Sequence, residues 1–200
     1  MRHNASRTLA LLASLLLPFA ASAHTGVDGG LHHSFVTGFM HPLTGADHLA
    51  AMVAVGFWSA LAARRAWPDL LWAPLAFAGM LLVGALMGLA GVQLPAVEPM
   101  IAASLLVLGL LVVTRVHLPA VAAMVVVGVF AVFHGVAHGY ELASEEGAAL
   151  TLAGMVSATV LLHVTGIAAG WALRHANAWL PRVAGAAVLG LGATLLAQAI

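Results

Sequence analysis

Six apolar segments, roughly 46–63, 70–90, 97–114, 119–140, 149–173 and 183–199, follow one another with only short connections. Each is near the ~20 residues that an α-helix needs to cross about 30 Å of hydrocarbon. In lipid every backbone N–H and C=O must find its partner inside the protein, and an α-helix pairs them within the segment itself. The spacing therefore predicts an all-α, polytopic membrane protein, a six-helix transmembrane bundle with no separate soluble domain. Composition agrees. Hydrophobic residues make up 62% of the 200 and charged residues 7%, where a soluble domain carries about a quarter charged. The net charge is zero and the arginines form no basic run, so nucleic acid is not an expected partner. Cysteine is absent, which excludes disulfides, thiolate metal sites and cysteine nucleophiles.

Residues 1–23 read as a secretory signal peptide. Arg2 and Arg7 form a basic start, Leu9 to Leu17 an apolar stretch too short for a span, and Ala21-Ser22-Ala23 an A-x-A cleavage site. The mature chain is expected to begin at His24, with residues 24–200 forming one transmembrane domain. Arg64-Arg65, Arg115, Arg174 and Arg182 fall in alternate connections. Placing them in the cytoplasm puts both mature termini outside, in the periplasm, for a multi-pass protein of the inner (cytoplasmic) membrane. Glu98 and the Glu145-Glu146 loop then lie outside. Trp58, Trp67, Trp72, Trp171 and Trp179 gather at the arginine-bearing boundary, where amphipathic rings prefer to sit. Gly84/Gly88, Gly135/Gly139 and Gly166/Gly170 form small-xxx-small pairs suited to close helix packing. Three spans followed by three must run in opposite senses, and the richest polar stretches lie in the first and fourth. That arrangement suits a 3+3 inverted repeat with a site between the halves.

One of those stretches is FHGVAHGYE, residues 133–141. His134, His138 and Glu141 follow i, i+4, i+7 spacing and fall within about 60° of one another around a helix. Imidazole and carboxylate are good ligands for a divalent transition metal, and His-x-x-x-His offers two from one helix. A hydrogen-bonded core histidine would explain any one of them. Three ionisable groups on one stripe inside a membrane point to function. The other stretch, HPLTGADHL, opens the first span at residues 41–49. Pro42 is expected to end any preceding helix, and Thr44-x-x-Asp47 has the form of a capping box with Asp47 complementing the helix dipole. Capping does not need His41 or His48, and both reach the same outer side as His138 and Glu141. The candidate metal site is therefore His41, Asp47, His48, His134, His138 and Glu141. His163, mid-way along the fifth span, is either a helix–helix hydrogen-bond partner or an inner station on a conduction path. His24, Asp28, His32 and His33 precede the first span, as an outer capture segment or a solvated tail. His117 and His175, close to arginines, read as ordinary interface residues.

The two motifs, with the signal peptide and six spans, resemble the HupE/UreJ family over the whole mature chain. Its members are encoded with hydrogenase or urease systems and are regarded as nickel permeases or nickel accessory proteins. His41, Asp47 and His48 match the first family motif, and His134, His138 and Glu141 the second. The resemblance implies a permease or accessory protein taking up a divalent metal, Ni²⁺ foremost, for hydrogenase or urease maturation. Histidine and carboxylate without thiolate suit Ni²⁺, Co²⁺ or Zn²⁺ better than Cu⁺. The alternative is an intramembrane zinc-dependent metalloenzyme, hydrolase-like, with a zinc-bound water and Glu141 or Asp47 as base. A haem carrier using His134 and His163 is disfavoured by the carboxylates crowding the site. The expected partners are the metal ion and the lipid bilayer, with a homo-oligomer left open, and no prosthetic group is expected.

Overall fold

Apolar runs of this length become helices because hydrocarbon offers the backbone no partner but itself. The computed structural model describes residues 35–64, 67–143, 147–175 and 177–200, and the regular structure among them is helical throughout. α1 (Phe35–Thr44) and α2 (Ala46–Ala62) precede α3 (Trp72–Leu89), α4 (Val97–Thr114), α5 (Ala120–Glu141), α6 (Ala148–Leu173) and α7 (Trp179–Ala199). Each of α3 to α7 is long and apolar enough to cross a membrane, whereas α1 and α2, bent by 82°, pass that test only as a pair. The chain is thus a polytopic helical membrane protein, with a sixth span if the bent pair counts as one. The expected signal peptide 1–23, the capture residues His24, Asp28, His32 and His33, and Arg65, Glu145 and Glu146 lie outside the described residues.

The first span departs from expectation at two points. Pro42 does not end a helix. It is buried inside the last turn of α1, which runs on to Thr44. Past the missing proline N–H the turn is closed by Thr44 Oγ1, which donates back to the carbonyls of Met40 and His41, at 3.2 and 3.1 Å, and by Gly45 N–H, which also bonds to His41 O. For the same reason Thr44 does not cap α2. Gly45 holds the N-cap position with no side-chain cap, and Asp47 directs its carboxylate at His48 instead.

Three close helix pairs set the frame: α3 on α5, α2 on α6 and α4 on α7. Exchanging the first three spans for the last three turns the α3–α5 pair into α6–α2 and maps α4–α7 onto itself. That is the pairing a 3+3 inverted repeat requires. Lipid supplies no hydrophobic drive between helices, so close backbone approach carries much of the association. A Cβ on Gly84 or Gly88 would run into the α5 backbone at Val132, Val136 or Tyr140, and one on Gly135 or Gly139 into Leu81 or Ala85 of α3. Gly135→Ala is therefore expected to push α3 from α5 and cost about 1–3 kcal/mol through overpacking, read as a lower Tm of the purified protein. Gly79→Ala is the matched neutral control, since a Cβ there meets nothing within 4 Å. An unchanged Tm in Gly135→Ala would show that glycine does not close this pair.

The described arginines stand at one end of the bundle, beside the ends of α2, α4 and α6 and the start of α7. Trp67, Trp72, Trp171 and Trp179 are exposed there, as rings at an interface are. Trp58 is different. It is 2% exposed and donates its Nε1–H to Val116 O at 3.0 Å, so it belongs to the core. A buried indole needs an acceptor, and the α4–α5 connection supplies one.

Candidate metal centre

α2 and α5 are each clamped to another helix, and their backbones do not pack closely on one another. Imidazoles fill the interval, at the end of the bundle opposite the arginines. His48, in the first turn of α2, and His138, in the last turn of α5, are 0% and 1% exposed and bring their Nε2 atoms 2.6 Å apart. The ring of His41, from the last turn of α1, lies against both, with centroids 5.6 and 4.7 Å away. One ring nitrogen from each of His41, His48 and His138 falls within 4.8 Å of the other two. The bend between α1 and α2 makes this possible, because it lays His41 back over a residue that follows it by two turns. At Gly45, between the two helices, an added Cβ would come within 3.1 Å of Asp47 Oδ1 and 3.2 Å of His48 Nδ1, crowding the pair that orients His48.

Neighbouring groups orient the rings. Asp47 Oδ1 lies 2.9 Å from His48 Nδ1. A carboxylate can only accept, so Nδ1 holds the proton and Nε2 of the neutral ring carries the lone pair into the cluster. Glu141, on the rim, stands 3.7 Å from His138 Nδ1. Asp47 and Glu141 thus address ring nitrogens from behind and lie outside the three-nitrogen group. Two lone pairs cannot face each other at the Nε2–Nε2 distance found here, so a shared proton fits between His48 and His138. A metal with bonds of about 2.0–2.1 Å would open the pair to roughly 3 Å. His134, one turn before His138, is fully buried, with its ring 5.1 Å from that of His48. Ser104 gives its proton to Ile101 O at 2.6 Å, so at 3.1 Å it accepts from His134 Nε2–H. His134 lines the cluster without joining the three-nitrogen group.

A family model described as HupE / UreJ protein matches residues 11–195. The chain belongs to the HupE/UreJ family. A relative, Protein HupE of Rhizobium leguminosarum bv. viciae, is 43% identical over 195 residues, which cover 96% of this chain and 97% of that protein. No solved structure matches.

The HupE/UreJ match encloses both histidine motifs, and the fold adds residues that neither motif contains. Ser104 is one; its hydroxyl in the middle of the apolar run of α4 is the sequence signal that singles it out. Phe77 carries no such signal. Its buried ring contacts both His134, at 5.7 Å, and His163, at 5.3 Å. His163, 3% exposed, donates Nδ1–H to Met52 O at 2.7 Å, and its Nε2 is buried with no hydrogen-bond partner. One aromatic ring thus touches both His163 and the His134 wall of the outer cluster. Glu98 shares a cavity of about 140 Å³ with Asp47 and Gln198, so an acidic mouth adjoins His48. His117, at the other end of the bundle, donates Nδ1–H to Ala62 O at 3.0 Å.

Proposed function

We propose that this HupE/UreJ protein is a membrane permease whose cargo is a divalent transition metal, Ni²⁺ foremost, taken up for hydrogenase or urease maturation. The observation that carries the reading is the group of three imidazole nitrogens, from His41, His48 and His138, within 4.8 Å of one another at one end of a membrane bundle. Imidazole without thiolate suits Ni²⁺, with Co²⁺ and Zn²⁺ as competitors. Asp47 and Glu141 serve as carboxylates that orient ligand histidines, and His134 completes the wall. The arginine-bearing end faces the cytoplasm, which sets the cluster and both mature termini in the periplasm, after removal of residues 1–23. His24, Asp28, His32 and His33 capture the ion ahead of the cluster, and His163 receives it beyond Phe77.

Burial favours this over a zinc hydrolase. A catalytic zinc needs an open position and room for substrate, whereas His48 and His138, at 0% and 1% exposure, are closed off from a substrate. The test is metal retention by the purified mature protein. Wild type is expected to hold Ni²⁺ through desalting and His48→Ala to lose it. Equal retention by both would put the metal elsewhere.

A further inference from the structure

At the arginine-bearing end of α2 lies a cavity of about 270 Å³, lined by Trp58, Ser59, Asp69, Trp72 and His117, with Arg64 exposed at its rim. Three of its wall donors are taken by backbone carbonyls. Trp58 Nε1–H goes to Val116 O at 3.0 Å, Ser59 O–H to Leu70 O at 2.8 Å, and His117 Nδ1–H to Ala62 O at 3.0 Å. A carbonyl only accepts, so the neutral His117 ring keeps its lone pair on Nε2. The wall thus holds three acceptors: that nitrogen, the Ser59 oxygen and the Asp69 carboxylate, the last already engaged by a neighbouring group. Such a wall takes a cation.

Two further observations point the same way. His48, His163 and His117 come from three different parts of the chain, yet each pins Nδ1 on α2: on Asp47 Oδ1, on Met52 O and on Ala62 O. A ring nitrogen fixed by an oxygen behind it is how proteins present a histidine to a metal. At 1.5 Å per residue the three anchors lie about 8 and 15 Å apart along the helix. Exchange of the two three-span halves also carries the outer cluster, at the start of α2 and the end of α5, onto this place, at the end of α2 and the start of α5. Capping a carbonyl in the last turn of α2 accounts for His117 Nδ1 alone; it does not explain the cavity.

We infer that this cavity is a second divalent-metal site, with His117 Nε2 and the Asp69 carboxylate as ligands, from which the ion leaves the protein. Its role as an exit rests on the transport reading above. Two protein ligands and the positive charge of Arg64 at the rim make the site weak, as release demands.

Tryptophan fluorescence tests the site apart from the outer cluster. Trp58 and Trp72 line the cavity, so Ni²⁺ bound there quenches them, whereas the outer group lies about 20 Å away along α2. With the purified full chain in detergent, Ni²⁺ is expected to give saturable quenching that Mg²⁺ does not. His117→Asn keeps a donor for Ala62 O and loses the Nε2 lone pair; Asp69→Asn loses the charge. Each should weaken the apparent Ni²⁺ affinity by about 10-fold or more, while His138→Ala leaves the quenching unchanged. Absence of saturable quenching in wild type, or wild-type quenching in both His117→Asn and Asp69→Asn, overturns the inference without touching the outer site. Persistent quenching alongside Ni²⁺ retention that ignores His48 upholds the inner site and defeats the transport reading instead.

Discussion

Replacing His138 by alanine is expected to lower Ni²⁺ uptake by about 100-fold or more, with the protein still in the membrane at wild-type level. His138 supplies one of the three clustered nitrogens and the partner that faces His48 Nε2. Removing a group that merely orients a ligand costs about 10–100-fold in metal affinity, and removing the ligand itself should exceed that. A 100-fold loss corresponds to about 2.8 kcal/mol. His138→Gln, closer in volume, should behave alike, which separates a lost ligand from a packing defect. Uptake of labelled nickel at limiting concentration, with the membrane level of each variant measured in parallel, checks the prediction. Wild-type uptake by His138→Ala would remove the cluster from the path.

The second large effect is a split. His163→Ala should reduce uptake by about 10-fold or more while the outer group still retains Ni²⁺ through desalting. His163 lies outside the group formed by His41, His48 and His138, so the outer nitrogens keep their positions when His163 is lost. The Met52 carbonyl fixes the proton on Nδ1, leaving Nε2 able to accept an ion that has passed the Phe77 ring. If His163 only tied α6 to α2, its loss would lower stability, and retention and uptake would fall together. Parallel loss, or unchanged uptake, would exclude it as an inner station.

The spans are legible in the sequence because lipid imposes length and apolarity at once. The expected segment 97–114 coincides with α4. The first span is less so, since 46–63 omits α1. Ten residues are too few to register as a span, and Pro42 reads as a breaker. α1 is held by packing that local pattern does not contain: a Cβ on Gly38 would meet Thr151, and one on Gly154 would meet Phe35 and Phe39. At the site, helical spacing places His134 and His138 on one stripe, but it does not say which of them meets His48. Nor does it reveal that Ser104, thirty residues away, holds Nε2 of His134. His117 reads as an interface residue because Arg115 lies two residues before it, and the carbonyl it bonds, that of Ala62, is fifty-five residues distant. Local chemistry is written in the chain; the pairing of distant segments is not.

The most direct measurement of the central claim is Ni²⁺ flux into sealed lipid vesicles holding the purified protein as their only polypeptide. The account predicts that wild type loads vesicles well above the protein-free rate, and that His48→Ala loads them at that rate. Wild-type vesicles that fill no faster than empty lipid, although the same preparation retains Ni²⁺ through desalting, would contradict it: the cluster would then hold the metal without passing it on.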